Sequence, residues 1–183
     1  MSVGDVFRYI RTWGTTGAVA PSGRALARRM VSHVDPRGTG IVLELGPGNG
    51  VVTQALIDRG VAPSRIVAVE FNPDFCRIVR ERCPGVRIVQ GDAYDLDRTL
   101  SGIHDGGFAA AVSSLPLLLR DSADRVRLVK SVLARLPRTS ALAQFSYSPK
   151  PPGPASPPDW RLEGSGWILM NMPPARVWTY RPV

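Results

Sequence analysis

Short apolar runs alternate with amphipathic stretches along most of the chain. Apolar runs bounded by turn residues indicate buried strands, and apolar positions three and four residues apart indicate helices. The predicted strands are 41–45, 65–70, 86–90, 108–113, 140–147, 162–171 and 175–180. The predicted helices are 22–34, 51–59, 73–82 and 121–136. This alternation predicts an α/β fold, in which a doubly wound, mostly parallel, seven-stranded sheet carries helices on both faces.

Prolines separate the predicted elements in the last third of the chain. Pro173 and Pro174 separate the last two predicted strands, so we expect a reversal there and an antiparallel last strand. The proline-rich segment 150–158 predicts a loop over one edge of the sheet. No internal repeat is visible, so we expect a single domain over 16–183 that follows an N-terminal helix at 1–15.

The N-terminal segment has an aliphatic and aromatic stripe at helical spacing, bordered by arginines. The stripe consists of Val3, Val6, Phe7, Ile10 and Trp13. A helix of this kind fits the interface of a membrane or a lid over a substrate, with Phe7, Ile10 and Trp13 as the lipid-contacting residues. A helix packed on the domain is the alternative.

The amino-acid composition favours one class of binding partner over others. A formal net charge of +8 and a pI of about 10.5 favour an anionic partner, either nucleic acid or an anionic membrane face. A compositional bias toward arginine is the alternative, because only Lys130 and Lys150 are lysines. No apolar run approaches the roughly 18 residues of a membrane span, and we expect no secretory signal.

The sulfur and imidazole groups predict neither a disulfide nor a metal site. Cys76 and Cys83 are separated by roughly 10 Å along one predicted helix, at about 1.5 Å per residue, which is too far for a disulfide. We expect packed thiols in a reducing cytosol. His33 and His104 are isolated, and no Cys/His cluster has the spacing of metal ligands.

A glycine-rich turn follows the first predicted strand. Gly46, Gly48 and Gly50 remove the Cβ atoms where a ligand would lie against the backbone. The helix that follows offers free N–H groups to an anionic group. By itself such a turn is a weak signal.

Polar residues stand at the ends of the other predicted strands, where doubly wound sheets bind ligands. Glu70 can accept both hydroxyls of a ribose and would repel a 2′-phosphate, and Asp92 can accept an adenine amine. For each acid, a surface carboxylate that caps a turn is the alternative. The fourth strand ends at Ser113 and Ser114, and the fifth at Gln144, Ser146 and Tyr147.

Together, the segments Glu44–Gly50, Val69–Glu70 and Gly91–Ala93 resemble the class I S-adenosylmethionine methyltransferases, which implies a Rossmann-like fold. The glycine spacing differs from the G-x-G-x-x-G of NAD enzymes. The resemblance implies that the glycines face the methionine part of the cofactor, Glu70 the ribose and Asp92 the adenine. The predicted cofactor site consists of Glu44, Gly46, Gly48, Gly50, Glu70, Asp92, Ala93 and Ser113.

Two groups within that class are most similar to this chain. The rRNA adenine dimethyltransferases carry Asn-Leu-Pro-Tyr after the fourth strand, where the asparagine contacts the target amine and the aromatic ring stacks on the flipped base. Here Ser114–Leu117 reads Ser-Leu-Pro-Leu, and we do not expect the C-terminal helical domain of those enzymes. The bacterial phospholipid N-methyltransferases are similar over nearly the whole chain, including 16–22, 144–149 and 171–180.

The second resemblance implies stepwise methylation of phosphatidylethanolamine toward phosphatidylcholine. It also implies a cytoplasmic protein peripherally bound to the anionic inner face of the cytoplasmic membrane, with no nucleic acid and no metal as partner. An rRNA adenine N6-methyltransferase and a small-molecule N-methyltransferase are the alternatives. Tyr147 is the strongest candidate to contact the amine, with Ser114 beside it.

The remaining candidate residues for contact with the lipid are chosen by the chemical properties of their side chains. The attacking amine must be neutral, and a dry site beside positive charges lowers its pKa, so a dedicated base is not required. Aromatic rings hold methylated cations and arginines bind phosphate. The candidates are Trp178 and Tyr180 for the cation, with ordinary strand aromatics as the alternative, and Arg24, Arg28, Arg176 and Arg181 for the phosphate.

Overall fold

The computed structural model describes residues 21–104, 106–153 and 160–183. The predicted helix at 1–15, with Phe7, Ile10 and Trp13, lies outside the described residues, so it stays a prediction. The described part holds seven strands in one sheet. They are β1 (Val42–Leu45), β2 (Ile66–Glu70), β3 (Arg87–Gln90), β4 (Ala110–Ser113), β5 (Leu142–Ser146), β6 (Trp160–Gly164) and β7 (Arg176–Pro182).

The sheet has the order β3-β2-β1-β4-β5-β7-β6. Strands β1 to β5 pair in parallel, and β7 lies antiparallel between β5 and β6. The prediction of a mostly parallel, doubly wound, seven-stranded sheet with an antiparallel last strand is therefore confirmed. Because β1 to β4 are parallel, the loops that follow them all emerge at the same edge, here called the carboxyl edge.

Helices cover both faces of the sheet. They are α1 (Pro21–Met30), α2 (Val51–Asp58), α3 (Pro73–Arg82), α4 (Leu96–Leu100) and α5 (Ser122–Leu133). Asn72 caps α3, since its side-chain oxygen accepts from the Asp74 amide, and Pro73 fits the first turn because its missing N–H costs no hydrogen bond. Asp121 caps α5 in the same way through the Asp124 amide.

Two apolar clusters lie on opposite faces of the sheet. One face packs against α1, α2 and α3, and the other packs against α4 and α5. Strands β1, β2 and β4 are buried along their whole lengths, as expected for parallel strands that helices cover on both sides. Cys76 and Cys83 are buried free thiols, in agreement with the sequence.

The structure differs from the predicted elements in two places. The predicted strand 162–171 ends at Gly164, and the apolar run Trp167–Met172 lies in the loop 165–175. The run suggested a buried strand by composition, yet Leu169 and Met170 project into solvent because β6 is the edge strand and its pairing stops at Gly164. The short helix α4 was missed, since five residues are too few to show a helical period.

Within the described ranges, no helix combines the length and the apolar character that crossing a membrane requires.

We predict that Leu142→Ala destabilises the fold strongly. Leu142 lies on the inner strand β5 and is 1% exposed, so the smaller side chain leaves a cavity that the sheet cannot close. We expect a loss of about 2–5 kcal/mol in the free energy of unfolding, measured by urea denaturation. The same substitution at the exposed Leu169 is the control and should stay within about 0.5 kcal/mol of the native chain. Equal stabilities for the two variants would contradict the assigned core.

Candidate functional site

Backbone hydrogen bonds continue the sheet by one residue beyond three strand ends, and so fix the loops of the carboxyl edge. The bonds run from the Gly46 amide to the Val69 carbonyl (2.9 Å), from Gly91 to Glu70 (3.0 Å) and from Ser114 to Leu45 (2.9 Å). The loops after β1, β3 and β4 therefore begin from set positions. The residues that the sequence analysis assigned to separate strand ends are brought to one edge.

The glycine loop has a left-handed backbone at Gly46, Gly48 and Gly50, with φ of 66°, 54° and 84°. Such values favour glycine. A Cβ on Gly46 would lie 2.8 Å from Leu115 Cδ2, and one on Gly50 would contact Val79. A Cβ on Gly48 would meet no atom within 4 Å, so open space adjoins the loop at Gly48.

Glu70 lies beneath this loop at the end of β2. Its Oε2 accepts from the Gly48 amide (3.1 Å), and its Oε1 accepts from the Asn72 amide (2.9 Å). The carboxylate is 8% exposed. Each oxygen of a carboxylate can accept more than one hydrogen bond, so Glu70 retains acceptor capacity toward a ligand. The acid thus holds the loop and remains available at its rim.

Glu44 is fully buried on the α1–α3 face of β1. Its pKa is raised to about 8, chiefly by burial; the facing Thr53 opposes this shift, and the negative charge of Glu70 adds to it. Among the described residues, neither Glu44 oxygen nor the Thr53 hydroxyl has a hydrogen-bond partner of standard geometry. An acid placed in this way is largely protonated at pH 7, behind the glycine loop.

Asp92 and Ala93 follow β3. Asp92 is exposed, and its Oδ1 accepts from the Tyr94 amide (2.9 Å) while its carbonyl accepts from the Thr99 hydroxyl (2.9 Å). Ala93 is buried. The acid therefore stabilises its own turn, the alternative that the sequence left open, and its second oxygen stays available at the carboxyl edge.

The loop after β4 is positioned by Gln144, which the sequence placed at the end of the fifth strand but to which we assigned no role in the site. Gln144 is buried on β5, and its Nε2 donates to the Leu115 carbonyl (3.0 Å). Ser113 is also buried, and its Oγ accepts from the Leu115 amide. Ser114 is half-buried, whereas Leu117 is buried with its side chain in the core. The polar residue inside an otherwise apolar strand was the available signal for Gln144.

Tyr147 directly follows β5 at the carboxyl edge. It is half-buried and makes an edge-to-face contact with Phe145, with ring centroids 5.3 Å apart. Burial raises the pKa of its phenol, and the side chain of Asn171, which faces the phenol, lowers it by a smaller amount. Tyr147 is therefore a neutral hydrogen-bonding group at neutral pH.

Arg176 and Trp178 lie on the opposite face from Tyr147. The Arg176 guanidinium lies 4.8 Å from the ring centre of Trp178 and 5.8 Å from that of Trp167, and its Nε donates to the Ser165 carbonyl. Trp178 is buried in the α4–α5 cluster. Its ring is engaged by a protein cation, which leaves less of it for a lipid cation.

Tyr180 requires a correction. It pairs with Leu142 at the far end of β5, is fully buried, and its hydroxyl accepts from the Gly153 amide (2.9 Å). Burial raises the pKa of its phenol to about 12. Tyr180 is therefore a core aromatic residue and does not contact a headgroup at the carboxyl edge.

Arg24 and Arg28 are exposed on α1, on the same face of the sheet as Tyr147. The chain just after α1 lies at the edge opposite the carboxyl edge, where a ring nitrogen of His33 contacts the Ala141 carbonyl, so Arg24 lies farther from that opposite edge than Arg28. No group of three or more His, Cys, Asp or Glu side chains within the described ranges is arranged to hold a metal ion.

A family model described as a methyltransferase domain matches residues 42–138, which is more than half of the chain. The chain is similar to an ornithine lipid N-methyltransferase of Singulisphaera acidiphila, with 33% identity over 123 residues that cover 64% of each protein. It is also similar to a ribosomal RNA small subunit methyltransferase A of Anaeromyxobacter dehalogenans, with 29% identity over 159 residues that cover 78% of this chain and 54% of that protein. The chain spans less than two thirds of either relative.

Solved structures share the fold. TrmN from Thermus thermophilus superposes with a TM-score of 0.70 at 18% identity, over 89% of this chain and 52% of that chain. The glycopeptide N-methyltransferase MtfA, solved with bound S-adenosyl-L-methionine, superposes with a TM-score of 0.55 at 22% identity, over 88% of this chain and 67% of that chain.

We predict that Glu44→Gln removes a pH-dependent loss of stability. With a folded pKa raised to about 8 from 4.5, Glu44 stays protonated in the folded chain while it ionises in the unfolded chain, so stability falls as the pH rises through this window. Three pH units at about 1.4 kcal/mol each set an upper limit of about 4 kcal/mol between pH 5 and 8.

Urea denaturation at pH 5 and pH 8 measures this difference. The exposed Glu81→Gln is the matched control and should keep the pH dependence of the native chain. An unchanged slope in Glu44→Gln would show that Glu44 is ionised when folded.

Proposed function

The chain belongs to the methyltransferase domain family, and on that premise we propose that it methylates the amine of phosphatidylethanolamine, stepwise toward phosphatidylcholine. Its cofactor is S-adenosylmethionine. When bound, this cofactor supplies an electrophilic methyl group on a sulfonium. The relative named for ornithine lipid supports a lipid amine as acceptor.

The residues of the carboxyl edge fit this cofactor. The open space at Gly48 admits a ligand against the backbone, and Glu70 retains acceptor capacity for two ribose hydroxyls. Asp92 is exposed beyond the neighbouring strand, where it can accept an adenine amine. We propose Ala93 and Ser113 as flanking contacts, and Glu44 as a protonated support for the loop from behind.

The observation that carries the choice of acceptor is the loop after β4. Leu117 is buried and therefore cannot stack on a flipped base, and Ser114 lacks the amide that a base-recognising site presents there. This loop favours a small amine without a flat aromatic face as the acceptor. A phospholipid headgroup meets this requirement.

Tyr147 and Ser114 are the proposed contacts of the amine. Tyr147 is a neutral phenol, so it can hold a neutral amine by hydrogen bonding, and its ring can hold the methylated cation. Alignment and exclusion of water are the main demands of an in-line methyl transfer. His33 and His104 both precede strands, at the opposite edge, so neither is placed to act as a base.

The lipid phosphate needs a cation at the carboxyl edge. Arg24 is the first candidate because it is exposed on the same face as Tyr147; Arg28 lies farther from the edge, and Arg176 is already engaged by two aromatic rings. The net charge of +8 supports binding to an anionic surface. We propose that the protein works peripherally on the inner face of the cytoplasmic membrane, with the N-terminal stripe of Phe7, Ile10 and Trp13 as one anchor.

Methylation of rRNA adenine is the second candidate function. It is favoured by the similarity to a ribosomal RNA methyltransferase A over 78% of this chain. The Ser-Leu-Pro-Leu loop disfavours it, because that loop offers neither the acceptor amide nor the stacking ring.

We predict that Glu70→Ala weakens S-adenosylmethionine binding by about 1–3 kcal/mol, the cost of unpaired ribose hydroxyls. Calorimetric titration measures the dissociation constant. Glu70→Gln keeps one acceptor oxygen and should lose less, and Glu81→Ala on the exposed face of α3 should lose nothing. An unchanged constant in Glu70→Ala would contradict the ribose assignment.

We predict that methyl groups from labelled S-adenosylmethionine enter phosphatidylethanolamine in mixed vesicles and appear in its mono-, di- and trimethyl forms. Tyr147→Ala should lower the rate at least tenfold while cofactor binding stays within twofold of the native value. Thin-layer separation of the labelled lipids provides the measurement.

Vesicles that contain ornithine lipid and a preparation of ribosomal RNA are the parallel acceptors. If label enters ornithine lipid alone, the substrate is ornithine lipid in place of phosphatidylethanolamine, and a lipid amine remains the class of acceptor. Label that enters RNA and no lipid would overturn the proposed function.

A further inference from the structure

The exposed large apolar side chains of the described residues are unevenly distributed. Six of the eight lie at the carboxyl edge, in the segments that follow β2, β4 and β6, and two lie at the opposite edge. The six are Phe71, Leu119, Trp167, Leu169, Met170 and Met172, and the two are Ile103 and Val183. Four of the six belong to the loop 165–175, here called the apolar loop.

The apolar loop is held at its base by inward-facing residues. Ile168 packs on the α1–α3 cluster and pairs with Ala175, and the Val177 amide donates to the Ser165 hydroxyl. Asn171 is buried, its Nδ2 donates to the Pro173 carbonyl, and its side chain faces the Tyr147 phenol.

The residues between these anchors point outward. Leu169 is 76% exposed, Met170 is 75% exposed and Met172 is 72% exposed, although all three are apolar. Such surface is unfavourably hydrated, and a cluster of it marks an interaction site. Trp167 is half-exposed at the edge of the cluster, beneath the Arg176 guanidinium.

Within the apolar loop and in 176–183 the chain has no Asp or Glu, and Glu163 on β6 is the acid nearest to the loop in sequence. Lys150 is exposed beside the end of β5, and Arg176 stands at the base of the loop. Aliphatic tips, a flanking tryptophan and nearby cations match the acyl boundary and the anionic headgroups of a bilayer. An RNA surface would instead require cations and stacking faces at the tips.

We propose that the apolar loop is a membrane-contact surface, in which Leu169, Met170 and Met172 enter the interface of an anionic bilayer. The proposal deepens the proposed lipid function and rests on it. Because Asn171 connects the loop to Tyr147, contact with the bilayer brings the headgroups to the carboxyl edge, so membrane binding and amine recognition share one structural unit.

Sedimentation with vesicles of phosphatidylglycerol and phosphatidylcholine tests the surface without any phosphatidylethanolamine present. The triple variant Leu169→Ser/Met170→Ser/Met172→Ser should lower the partition coefficient at least fivefold. Ile103→Ser/Val183→Ser, on the opposite edge, is the matched control and should bind as the native chain does. Cofactor affinity within twofold of the native value in both variants shows that the site is folded.

Trp167 provides a second measurement that needs no disruptive change. Brominated phosphatidylcholine in the same vesicles should quench part of the tryptophan emission, and Trp167→Phe should remove the share that belongs to Trp167 while the share of the proposed anchor Trp13 remains and vesicle binding is retained. The proposal is overturned if the triple variant sediments as the native chain does, or if Trp167→Phe leaves the quenching unchanged. Either result means that the loop contacts something other than a bilayer, such as residues 1–20 or RNA.

Methyl transfer separates the two proposals. The triple variant should lose at least fivefold in rate on vesicular phosphatidylethanolamine and stay within twofold on a short-chain form that is monomeric in solution. If the native chain methylates neither form but still binds vesicles through the loop, the proposed function fails and the membrane contact stands. If it methylates both and the triple variant behaves like the native chain on vesicles, the membrane contact fails and the function stands.

Discussion

The parallel pairing of β1 with β2 on one side and β4 on the other is the constraint on which the rest of the molecule depends. It places the carboxyl ends of these strands side by side, and backbone bonds beyond the strand ends fix where the glycine loop and the loop after β4 begin. Gln144 on β5 then holds the second loop through the Leu115 carbonyl. Leu115 in turn lies so close to Gly46 that no other residue fits there without displacement. The site is therefore a consequence of strand order and of a few buried contacts.

The two buried acids beside the glycine loop, Glu44 and Glu70, have different roles because their surroundings differ. Glu70 is satisfied by two backbone amides at the rim, whereas Glu44 is enclosed, has no standard partner among the described residues and has a pKa raised to about 8. A neutral Glu44 keeps a second negative charge away from Glu70. The fold thus has a stability that declines with rising pH, because Glu44 stays largely protonated in the folded chain behind the site where ribose hydroxyls would bind.

The two edges of the sheet differ in character. The carboxyl edge carries the glycine loop, Tyr147 and six of the eight exposed large apolar side chains of the described residues, whereas the opposite edge carries two. Apolar side chains exposed to water are unfavourable in free energy, also on a loop that buried polar residues hold in place. Contact with a partner that covers them offsets this free-energy cost. The same edge therefore combines the cofactor site with the surface that we propose to contact a bilayer.

The sequence by itself determined the α/β alternation, the identity of the glycine loop and the positions of Glu70 and Asp92. Apolar periodicity and residue spacing are local properties, so they can be read directly from the order of residues along the chain. Tertiary structure decided what depends on distant contacts. It assigned Tyr180 to the core, placed Arg176 and Trp178 on the face opposite Tyr147, and raised the pKa of Glu44. It also converted the predicted strand at 165–171 into an exposed loop, because β7 inserts between β5 and β6 and leaves β6 as a short edge strand. Burial and strand order are set by which elements pack together, and no local pattern contains that information.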